Sequence, residues 1–73
     1  MPSQAELTLI VEEILELPDK SVSDESDLEE LGWDSLSNVT FISIMDERYG
    51  AHVDPQRLAR SETPADLMHL LQS

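Results

Sequence analysis

Leu31-Gly32-Trp33-Asp34-Ser35-Leu36 is the stretch on which the fold turns. Gly32 offers a turn, and Asp34 is a strong N-cap, because a short carboxylate accepts the unpaired N–H groups at a helix start. Ser35 to Tyr49 then reads as a helix stopped by Gly50, which enters the left-handed region at C′ without steric cost. At roughly 100° per residue, Phe41, Ile42, Met45 and Tyr49 share one broad face. Leu36 falls opposite, among Thr40, Ser43 and Glu47. Leu36 and its neighbour Val39 are therefore candidates for contact outside the core.

Toward the N-terminus, Ser3 followed by Glu6 fits a capping box, in which each side chain reaches the other residue's backbone N–H. Leu7, Ile10, Val11 and Ile14 follow at i, i+3, i+4 and i+7, with Leu15 and Leu17 widening the stripe. This predicts a first helix with Glu12, Glu13 and Glu16 outside, closed by Pro18. From Pro18 to Asp34 runs an acidic connection punctuated by Val22, Leu28, Leu31 and Trp33. A connection of that length in so small a chain is either functional or anchored by its apolar side chains. Toward the C-terminus, Asp54 and Pro55 open a short turn through Ala59 with Leu58 inward. Thr63-Pro64, with Asp66 at N3, opens a last helix that buries Leu67, Leu70 and Leu71. No segment sustains the alternation of a strand. The predicted fold is all-α, one domain over residues 1–73, with three main helices, one short helix and a long loop between the first two main helices.

The chain has 73 residues, 16 Asp and Glu against 4 Lys and Arg, a formal net charge of −12, and no cysteine. That length holds one core only. Without cysteine there is no disulfide framework, thiolate nucleophile or thiolate metal site, so apolar packing and helix detail must carry stability. The apolar runs are far shorter than the roughly 20 residues of a membrane span, and no basic segment precedes an apolar one at the start. A cytoplasmic protein without a membrane span is expected. Its negative surface repels phosphate backbones, so a nucleic-acid partner is not expected and a basic protein partner is.

The residues offer little for catalysis. Both glycines stand singly at helix boundaries, so no phosphate loop is present, and His52 and His69 are too far apart to read as a metal pair. Asp34 and Ser35 are neighbours whose side chains leave a helix start in different directions, which does not suit a hydrolytic triad with either histidine. Asp19 and Glu30 match the ends of a calcium loop of the EF-hand type, with Ser21, Ser23 and Asp27 at ligand positions. The sixth position, however, holds Asp24 where the turn wants glycine. No metal site is expected.

Ser35 itself supports two readings. In the first it belongs simply to a capping sequence, since Asp-Ser is common at helix starts. Alternatively, its hydroxyl is exposed at the first turn, where unpaired N–H groups and the helix dipole accommodate a phosphate attached to it.

Leu-Gly-Trp-Asp-Ser-Leu, preceded by an acidic loop and followed by a helix ending Asp-Glu-Arg-Tyr-Gly, resembles the acyl carrier protein family with its peptidyl carrier relatives. The resemblance runs over nearly the whole chain, through the short third helix and the last helix opened by Thr-Pro. It implies that Ser35 receives 4′-phosphopantetheine from a phosphopantetheinyl transferase. The arm's thiol then holds an acyl or aminoacyl group as a thioester, and the protein is not itself an enzyme. It further implies that Asp34 aids transferase and magnesium recognition and that Leu36 and Val39 dock on partners. Asp46 and Glu47 would meet basic patches on those partners, chiefly raising the on-rate.

The sequence departs from fatty-acid-type members after Asp-Ser-Leu, where Ser37, Asn38 and Thr40 are neutral, and at Ser43, a position often held by Met. A less charged partner face points away from housekeeping fatty-acid synthesis and toward polyketide, specialised fatty-acid or aminoacyl pathways. The expected partners there are a loading enzyme, a ketosynthase or an acyltransferase. Trp33 either anchors the loop or lies beside the arm and contributes to recognition. Starting at Met1 and ending soon after the last helix, the chain is expected to be a freestanding monomeric carrier. The alternative from another class is an unmodified acidic adaptor that binds a basic protein through helix two and the loop.

Overall fold

Ser3 opens the first helix as its spacing predicts: its hydroxyl accepts the Glu6 N–H at 3.2 Å, and Glu6 Oε1 accepts the Ser3 N–H at 3.1 Å. In the computed structural model, which describes residues 2–72, four α-helices follow in order. They are α1 (Gln4–Leu15), α2 (Ser35–Tyr49), α3 (Pro55–Leu58) and α4 (Pro64–Gln72). Helix α1 packs against α2 and α4, and α3 bridges α2 to α4. Leu7, Ile10 and Val11 from α1, Phe41 and Met45 from α2, Leu58 from α3 and Leu67 from α4 meet in one apolar core. Phe41 and Met45 fill that core, while Ile44 is half-buried against it.

The long connection is part of this core. Val22 and Leu28 are buried in it, and Leu31 and Trp33 pack against it half-buried. Backbone bonds fasten the same loop to the far end of the chain: the Leu28 N–H donates to the Glu62 carbonyl at 2.9 Å and the Ala65 N–H to the Asp24 carbonyl at 3.0 Å. These bonds hold the loop that leads into α2 against Glu62, before α4, and against the first turn of α4.

Two expectations for α1 are corrected. Glu12 is not outside: it is buried, because the loop folds back over that edge of the helix, and its Oε2 accepts the Val22 N–H at 3.0 Å. Nor does Pro18 end the helix. Glu16 takes the left-handed conformation at φ 56°, and the Leu17 N–H returns to the Glu12 carbonyl at 2.9 Å, closing α1 earlier. The calcium-loop side chains are engaged locally. Ser21 Oγ donates to the Pro18 carbonyl, Ser23 pairs with Ser26, and Asp27 Oδ1 accepts the Glu29 N–H at 2.9 Å. Among the described residues no group of three or more His, Asp or Glu side chains converges as a metal-binding set, and no helix is long and apolar enough to cross a membrane.

Candidate functional site

The approach to α2 is a tight turn that only a flexible residue closes. The Gly32 N–H donates to the Glu29 carbonyl at 3.1 Å and the Trp33 N–H to the Leu28 carbonyl at 2.9 Å, with Gly32 at φ +100°. A side chain there would strain the backbone. Trp33 is then held from two sides. Its indole N–H donates to Asn38 Oδ1, and its ring meets Phe41 edge-on with centroids 6.0 Å apart. Trp33 therefore anchors the loop, and it also lines the same cleft as Ser35.

Asp34 caps α2 by a reciprocal pair. Its Oδ1 accepts the Ser37 N–H at 3.0 Å and the Ser37 hydroxyl at 3.1 Å, while Ser37 Oγ accepts the Asp34 N–H at 3.3 Å. The Ser37 backbone N–H, and after it the Ser37 hydroxyl, hold the Asp34 carboxyl below the usual carboxylate range. Ser37 is consequently buried, so it does not belong to the partner-facing side on which its neutrality was weighed. Asn38 is turned toward Trp33 in the same way, leaving Thr40 as the exposed neutral residue of the three. The sequence reading missed both internal partners. An Asp-x-x-Ser spacing is a capping-box signal, but the indole-to-amide bond leaves no pattern in the chain.

Ser35 follows as the first helical residue. It is exposed, and among the described residues neither its hydroxyl nor its backbone N–H makes a hydrogen bond. Beyond it one side of α2 is open along its length. Leu36 is 72% exposed and Val39 63%, and Ser43, Asp46 and Glu47 continue the same exposed stripe. With a rise of about 1.5 Å per residue, the apolar pair and the acidic pair stand roughly 10 to 15 Å apart. Arg48 turns away from this stripe and forms a two-pronged pair with Glu13 at 3.0 and 3.1 Å. His52 and His69 are both exposed, on separate elements.

The sequence model of the family described as "Phosphopantetheine attachment site" matches residues 5–71. The chain belongs to this family. It is an acyl-carrier-type protein, a carrier rather than a catalyst, whose cofactor is covalently attached 4′-phosphopantetheine, and such carriers meet phosphopantetheinyl transferases and biosynthetic enzymes. Among solved structures, the carrier is similar to the "Oxytetracycline Acyl Carrier Protein" solution structure. That match has a TM-score of 0.71 and 17% identity and covers 97% of this chain and 79% of that one. At that identity the likeness carries the fold. No curated protein matches the sequence.

Proposed function

We propose that Ser35 is the residue that carries the 4′-phosphopantetheine arm. The observation that supports this most is the state of its hydroxyl: exposed, unbonded and fixed at the first turn of α2 by a cap that uses Asp34 and Ser37 instead. The residues fit the group. The unbonded Ser35 N–H and the positive end of the α2 dipole suit a phosphodiester, and the cleft beside Ser35, about 790 Å³, lies in the range of ligand sites. Once attached, the arm supplies a thiol that holds acyl or aminoacyl groups as thioesters.

In the same reading, Leu36 and Val39 form the apolar contact that loading enzymes, ketosynthases or acyltransferases meet. Asp46 and Glu47 steer basic partner surfaces toward it, and Asp34 and Trp33 mark the serine for the transferase. Exposed Thr40 and Ser43 leave the middle of the stripe uncharged. This favours partners chosen by apolar and hydrogen-bonding contacts, in polyketide or specialised fatty-acid or aminoacyl biosynthesis. We further propose that residues 1–73 act as one monomeric carrier domain in the cytoplasm.

The test is transfer from coenzyme A with magnesium and a broad-specificity phosphopantetheinyl transferase. The unmodified protein gains one arm by intact mass. Ser35→Ala gains none while keeping its helicity, because Asp34 still caps α2 and alanine favours a helix. Loss of helicity in the variant would make Ser35 structural. An unmodified native chain beside a modified control carrier would favour the acidic adaptor instead.

A further inference from the structure

The cleft that Ser35 lines is framed by the loop before α2, the first turns of α2 and the segment that follows α3. Leu28, Trp33 and Leu58 supply its apolar lining, and Arg60 is the one basic residue in that lining among the described residues. In a chain of net charge −12, an arginine among carboxylates is expected to pair with one of them. Arg60 does not: its backbone N–H donates to the Arg57 carbonyl at 3.1 Å, but among the described residues its guanidinium makes no hydrogen bond and no ion pair. Of the acids that line the cleft, Asp27 accepts from the Glu29 N–H and Asp34 from Ser37, and neither Glu29 nor Glu62 is paired with the guanidinium.

An anion brought to Ser35 faces repulsion from Asp34, Glu29 and Glu62 around the same cleft. A planar guanidinium whose donors are unused offsets that repulsion and accepts phosphate or carboxylate oxygens two at a time. We infer that Arg60 is an anion-binding residue for the arm on Ser35, engaging an anionic oxygen group that the arm bears. That group is either the arm's own phosphodiester or the terminal carboxylate of a short dicarboxylic acyl cargo. The inference rests on Ser35 being the attachment residue. Where the ligand is the cargo carboxylate, Arg60 is a specificity residue for what the arm bears; in either case it is separate from the Leu36–Val39 face that partners meet.

The Arg60 Nε–Hε resonance in ¹⁵N-labelled protein reads this directly, with Arg48, already paired to Glu13, as internal reference. Four forms are compared: unmodified, arm-bearing with free thiol, acetyl-loaded and malonyl-loaded, each verified by intact mass. Displacement of the Arg60 resonance in every arm-bearing form, with a ³¹P shift on Arg60→Gln, assigns the phosphodiester as its ligand. Displacement in the malonyl form alone, with the carboxylate resonance of ¹³C-labelled malonyl cargo shifting on Arg60→Gln, assigns the cargo carboxylate. An Arg60 resonance unmoved in all forms of confirmed mass overturns the inference while leaving the carrier reading intact. Failure to gain the arm's mass overturns both.

Discussion

Asp34 and Ser35 divide two tasks that a helix start presents. Asp34 and Ser37 satisfy each other's backbone N–H, so the Ser35 hydroxyl is left unengaged. The arrangement has a pH signature. Because Ser37 holds the Asp34 carboxyl below its ordinary value of 3.8, the cap's contribution is fully present above that value and fades as pH falls through the folded one. Asparagine caps nearly as well and does not titrate. Asp34→Asn should therefore match the native thermal midpoint near neutrality and lose less of it between about pH 5 and pH 3, followed by circular dichroism. Superimposable acid profiles would remove the cap's ionisation from the account. The Asp-Ser pair could be located in the sequence because cap chemistry is local. Ser37 was legible only through the Asp-x-x-Ser spacing of a capping box, because a serine at the third position of a helix has the same composition whether it faces solvent or the cap.

At the scale of the element, α2 is one helix with two distinct sides. Its core side buries Phe41 and Met45, and its open side presents Leu36 and Val39 with acids further along. If that open side is the partner face, Leu36→Ala lowers kcat/KM for the transferase by roughly tenfold, equivalent to about 1.4 kcal/mol, with helicity unchanged. An unchanged kcat/KM would place recognition elsewhere. Both boundaries of α2, the start of α1 and the α2 faces were legible because caps, Gly50 and a period near 3.6 are written locally. Glu12 shows the limit of such patterns. On a helical wheel it belongs to the solvent edge of α1, and only the returning loop, through the Val22 N–H, brings it inside.

Over the whole molecule, the long loop is a structural layer, held by buried Val22 and Leu28 and by backbone bonds to Glu62 and Ala65. Leu28→Ala removes a fully buried side chain where the loop meets the core. It should destabilise the fold by about 2 to 5 kcal/mol, read as a lower urea midpoint at unchanged slope. The anchoring role of Leu28 was legible as one of two alternatives for so long a connection. The backbone bonds that fix where the loop lies were not, since carbonyl and N–H partners carry no residue signature. The presence of Arg60 in the cleft that the loop also lines is hidden from the sequence for the same reason. Net charge acts on the same scale. With −12 on 73 residues, added salt or magnesium should raise the thermal midpoint by screening self-repulsion, and a midpoint indifferent to salt would contradict that.

The account stands on one covalent bond at one serine. The native chain, treated with coenzyme A, magnesium and a broad-specificity phosphopantetheinyl transferase, is digested and its peptides are mapped by mass. The predicted result is a single phosphopantetheinyl group on the peptide containing Ser35. An arm on any other residue, or no arm while a control carrier is modified in the same tube, would contradict it.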